Sequence, residues 1–118
     1  MQPIKLKLSS DGMYASLVVA GATTDLTAAD IDKLIRDLAA VRAKMIPVHP
    51  AEPPDDPAKL HHGDNLLWSV KAAPAKSAVQ FSTQHPGLGW TSMWLSRAQV
   101  EDLMTSFEFE SAKIPEGT

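Results

Sequence analysis

Imidazole and carboxylate groups crowd one stretch of this sequence, IPVHPAEPPDDPAKLHHGDN at residues 46–65. His49, His61 and His62 stand there with Glu52, Asp55, Asp56 and Asp64. Such side chains together suit zinc, nickel or non-haem iron. Their spacing does not. His61 and His62 are adjacent, whereas a metal usually takes ligands one helical turn apart, or two residues apart on a strand, and no HExxH helix is present. The expectation is solvated loop histidines, with no metal site and no cofactor.

The fourth histidine, His85, opens the stretch HPGLGW. A loop histidine can give or take a proton near neutral pH. Here it lacks an identifiable partner, because the chain has no cysteine and no serine in a nucleophile-elbow context. The plainer expectation is a turn residue bonded to backbone. Asp30, Asp32, Asp37, Glu101 and Asp102 fall at capping or solvent-facing helix positions, so no acid pair is signalled and no catalytic residue is assigned. Neither GxGxxG nor GxxxxGK[ST] occurs, which removes the familiar nucleotide-binding fingerprints.

Three tryptophans in 118 residues carry the remaining interest. Trp90 and Trp94 share a strand face by alternation, and Trp68 belongs to a neighbouring strand. Sheet-packed core is the plainer reading, since tryptophan dominates burial in small domains. The rival reading makes Trp90, Trp94 and His85 an interaction surface, because tryptophan is enriched where partners dock.

The elements that must position these residues follow from periodicity. Ile4, Leu6 and Leu8 alternate with Lys5 and Lys7, the pattern of a half-buried strand. Ser10-Asp11-Gly12 is turn chemistry, and Met13–Ala20 resumes as a second strand. Leu26–Met45 reads as a helix. Thr27 is its N-cap, Asp30 stands in for the usual Glu of a capping box, and Leu26 and Ile31 form a hydrophobic staple. Ile31, Leu34, Ile35, Leu38, Val41 and Met45 make its apolar stripe.

The prolines at 47, 50, 53, 54 and 57 exclude a helix or central strand from the connection at 46–65, which is expected to be extended and mobile. Strands are then expected at Leu66–Ala72, Ala78–Thr83 and Trp90–Leu95, forming a meander in which HPGLGW is a hairpin loop. A second capped helix starts at Ser96, with Gln99 closing its box. Its start, LSRAQVEDLMTSF, matches LTAADIDKLIRDL in register. Two helices leaving a sheet alike need the same start code, and this explains the match more simply than duplication. The segment Phe107–Glu110 either extends the helix or pairs as a strand, and residues 115–118 fray.

Composition bounds the rest. Net charge is −3 with 21% charged residues. The lysines and arginines are scattered, which ranks nucleic-acid binding lowest. The longest apolar run, Leu17 to Ala22, is too short for a membrane span of ~20 residues.

The sequence therefore predicts a single α+β domain over 1–118 of order ββα–linker–βββα. Its sheet is mostly antiparallel, built from a β-hairpin and a three-stranded meander, with two amphipathic helices packed on one face. A homodimer is the expected assembly and the cytoplasm the expected compartment, with no membrane and no nucleic acid as partner. The functional expectation is a small non-enzymatic interaction protein (adaptor, assembly or regulatory subunit) with a protein partner. The alternative is a small enzyme or ligand binder using His85, or the His61/His62 region, at the sheet end.

Overall fold

The structure is a computed structural model and describes residues 4–64 and 67–117. Two compact units divide the chain, Met1–Asp55 and Asp56–Thr118. Each is an antiparallel three-stranded meander followed by one helix. The α+β class, the antiparallel pairing and both helices stand as the sequence predicts.

In the first unit β1 (Lys5–Leu8) and β2 (Tyr14–Val19) form the expected hairpin. Its turn is held by Asp11, whose Oδ1 accepts from the Ser9 hydroxyl at 2.6 Å and from the Met13 amide at 2.9 Å. Gly12 supplies the left-handed φ of +75°.

A third strand, β3 (Ala22–Thr27), extends the hairpin, so this unit is fuller than a two-stranded reading of it. Ala20 and Gly21 make the link, with φ of 51° and 81°. Two successive positive φ values are what a two-residue hairpin of the twist-compatible kind demands. The helix α1 (Ala28–Arg42) leaves directly from β3 through the predicted capping box. Thr27 Oγ1 accepts from the Asp30 amide and Asp30 Oδ2 accepts from the Thr27 amide.

Strand register sorts the first sheet into two faces. Leu6 lies opposite Leu17, Leu8 opposite Ala15, and Ala15 opposite Leu26, so these share one side. Lys5, Lys7, Ser16 and Asp25 share the other, where the Ser16 hydroxyl donates to Asp25 at 2.8 Å. An open cavity of about 520 Å³ is lined by Leu6, Leu8, Leu26 and Ile31, among others.

The second unit begins with the end of the proline-rich connection. Pro57–Lys59 form one 3-10 turn capped by the Asp56 side chain. No strand or α-helix occurs among the described residues from 46 to 67, as the prolines require. The strands are β4 (Trp68–Ala73), β5 (Ala78–His85) and β6 (Gly89–Leu95). Leu66, the expected start of β4, lies outside the described residues, as do Asn65 and Thr118.

The helix α2 (Arg97–Ser111) begins at Ser96 with its own box: Ser96 Oγ accepts from the Gln99 amide, and Gln99 Oε1 accepts from the Ser96 amide. The matched sequences thus mark the same event in both units, a helix leaving the third strand of a meander. Leu26 faces Ala15 and Leu95 faces Val79, each the second residue of its middle strand. Phe107–Glu110 continues α2 rather than forming a strand. The alternation of Phe107 and Phe109 therefore puts the two rings on different sides of a helix. Phe109 lies under the Lys113 ammonium, 4.5 Å from its ring centre.

Candidate interaction surface

Pairing in the second sheet puts Trp68 opposite Thr83, Val70 opposite Phe81, Phe81 opposite Met93, and Val79 opposite both Ala72 and Leu95. All of these belong to one face. The helix α2 contributes Val100, Leu103, Met104 and Phe107, a stripe at helical spacing. Together helix and sheet line an apolar cavity of about 270 Å³, with Trp68, Val70, Val79, Phe81 and Leu95 as its sheet side. Toward the Pro74–Ala78 corner it adjoins a larger open cavity that shares Val79, Val100 and Met104 and is edged by Arg97 and Glu101.

These side chains are not a closed core. Among the described residues none is fully buried, and on this face Trp68 is 61% exposed and Phe107 65%.

Trp90 and Trp94 occupy the opposite face. Their cross-strand neighbours are Gln84 and Gln80, with Ser92 between them opposite Ser82. Polar contacts run across this side: Gln80 Nε2 donates to Ser92 Oγ at 3.3 Å, and the Ser82 and Ser92 hydroxyls lie 2.8 Å apart. The Lys76 ammonium sits 4.9 Å from the Trp94 ring centre. Trp90 is 54% exposed and Trp94 49%. The two tryptophans share a face, as alternation requires, and Trp68 is the one beneath α2.

His85 ends β5 on the side of Thr83 and Phe81, away from Trp90. Its Nδ1 accepts from the backbone amides of Gly87 at 3.0 Å and Leu88 at 3.1 Å. HPGLGW is therefore a turn folded around its own histidine, and Gly89 closes it with a φ of +76°.

The His61 ring meets His85 edge-on at a centroid distance of 5.9 Å. Gly63, Thr83, Gln84, Leu88 and Thr91 complete a cavity of about 200 Å³ around the pair. His62 instead turns to the Pro57 carbonyl, with its Nε2 3.2 Å away. The sequence offered no signal for the His61–His85 contact, because it joins an irregular segment to a strand end 24 positions later.

The turn dictates what His85 can do. With Nδ1 accepting two hydrogen bonds, the proton of the neutral ring sits on Nε2. Binding a metal or taking a proton at Nε2 requires the other tautomer, which would give up both turn hydrogen bonds. The pocket thus presents an N–H donor beside two threonine hydroxyls, and no carboxylate lines it. No group of three or more metal-ligating side chains gathers among the described residues. His49 belongs to the other unit.

Among the described residues no helix is long and apolar enough to cross a membrane. The two carboxyls held below their ordinary range serve local structure. Asp11 is lowered by the Ser9 hydroxyl and then the Met13 amide, and Asp30 by the Thr27 amide and then its hydroxyl. No family model, curated protein or solved structure matches the chain.

Proposed function

We propose that this chain is a non-enzymatic interaction protein, an adaptor, assembly or regulatory subunit working in the cytoplasm. Its partner protein docks on the apolar face that α2 shares with β4–β6. One observation carries the reading: Trp68 and Phe107 remain more than 60% exposed on either side of an apolar cavity. Val70, Met93, Leu103 and Met104 on the same side are exposed as well, and exposed aromatic and aliphatic side chains grouped in this way mark a contact site. Trp90 and Trp94 support the reading less directly, since Lys76 and the glutamine–serine ladder already partner their face.

A hydrophobic dye such as bis-ANS tests the open face at high dilution. Saturable binding with energy transfer from tryptophan is expected, weakened at least fivefold by Phe107→Ser. A chain that binds no dye has a closed face and contradicts the proposal.

A ligand-binding or enzymatic role at the sheet end is the second reading, favoured by the contact between His61 and His85. It is the weaker because the turn engages Nδ1 of His85 and leaves the pocket a donor without a paired acid.

A further inference from the structure

We infer that the cavity between His61 and His85 binds a small oxyanion, a carboxylate or phosphate group, through neutral hydrogen-bond donors. The inference names a ligand class for the second reading, at the sheet end, and is independent of the docking face on α2. Three observations carry it.

The first is the proton on His85. Its Nδ1 accepts from the amides of Gly87 and Leu88, so the neutral ring holds its proton on Nε2. Two glycines show how the ring is set. Gly87 lies against the Nδ1–Cε1 edge, where an added Cβ would stand 3.5 Å from both atoms. Gly63 lies against Cδ2, where an added Cβ would stand 3.9 Å away. Gly63 lines the cavity and Gly87 does not. The turn therefore claims one edge of the ring, and the edge toward the cavity wall carries the Nε2–H.

The second is a pair of hydroxyls. Thr83 and Thr91 face each other across β5 and β6 and line the same cavity. Thr91 Oγ1 donates to the Thr83 carbonyl at 3.5 Å, and the two hydroxyl oxygens lie 3.3 Å apart. With the Thr91 proton turned to the backbone, the Thr83 hydroxyl can turn its own into the cavity.

The third is the charge and size of the space. No carboxylate, lysine or arginine lines the cavity, and Asp64, next in the chain to Gly63, is not part of its wall. His61 stands edge-on to His85 at 5.9 Å, and its ring brings a further N–H in either tautomer. Such a site lacks the acid that would orient a general base, and it offers a metal only the His61 lone pair. It complements an acceptor, and hydrogen bonds to a charged acceptor are about twice as strong as neutral ones. At about 200 Å³ the cavity falls below the ~300–1,000 Å³ that takes drug-sized ligands, which limits the guest to a small group.

Titration of the full chain with sodium phosphate, and separately with sodium acetate, tests this, with sodium chloride holding ionic strength constant. Nitrogen-resolved NMR follows the His61 and His85 rings and the Gly63, Gly87 and Leu88 amides. The expected result is a saturable shift of these signals, and the tighter anion identifies the group as phosphate or carboxylate. His85→Asn keeps a turn acceptor but loses the Nε2 donor, and should weaken binding at least about tenfold, as loss of a hydrogen bond to a charged group does. Thr83→Val leaves the turn bonds in place and should weaken binding by a similar factor, which decides the matter even where His85→Asn unfolds. His49→Ala, in the other unit, should change nothing. A shift that chloride reproduces overturns the inference, as does binding that survives both substitutions. Zinc that shifts both rings and releases the Gly87 and Leu88 amides overturns it while leaving a ligand site at the sheet end. A chain that responds to neither anion nor zinc overturns both, and bis-ANS binding in the same samples reports on the docking face separately.

Discussion

At the scale of single residues, His85 is tied to the turn it begins. Its ring replaces a backbone acceptor for two amides of the turn it begins. Replacing it with alanine should cost about 1–2 kcal/mol, the net worth of two such bonds. His85→Asn should recover part of that, because asparagine accepts from turn amides in the same way. Chemical denaturation of the three proteins measures both, and equal loss in both variants would contradict the role. Nitrogen-resolved NMR of the neutral ring should also find the proton on Nε2. A proton on Nδ1 would remove the turn from the account and reopen the site to metal. The turn role was legible in the sequence, since histidine, proline and glycine adjoin there. The ring contact with His61 was not, because nothing in a segment without periodicity encodes where it returns to the sheet.

At the scale of elements, the two helix starts make an internal comparison. Both boxes have the same geometry, but α1 is closed by Asp30 and α2 by Gln99. The folded Asp30 carboxyl is held below its ordinary range by the Thr27 amide and hydroxyl. A group depressed in the folded state adds stability that is fully present above its unfolded pKa, about 3.9, and lost as pH falls through the folded value. Gln99 does not titrate. Acidification from about pH 5 to about pH 2 should therefore shift the Thr27 amide resonance and fray the first turn of α1. The Ser96 amide should stay in place. Parallel movement of both would show that something other than the cap drives the change.

The helices were plainly written in the sequence through their caps, staples and stripes. The strand β3 was obscured because ATTDLT lacks apolar alternation and the two-residue link at Ala20–Gly21 carries an alanine where glycine or asparagine is usual. Its threonines and that short link were the available signal. Phe107 and Phe109 misled for the converse reason, since two aromatics with period two sit inside a segment whose cap and spacing already fix a helix.

At the scale of the whole molecule, alternation told which residues share a face but not which face the helix covers. Trp90 and Trp94 therefore stood out in sequence, while Trp68, alone on its strand, lines the apolar cavity with Phe107. Pattern also cannot show that a stripe meets a sheet without sealing it, because closure depends on what lies opposite. The central claim is that the apolar face shared by α2 and β4–β6 stays open and takes a partner. Titration with bis-ANS at high dilution tests it most directly. The account predicts saturable binding with energy transfer from tryptophan, weakened by Phe107→Ser. A folded chain that binds no dye would contradict it.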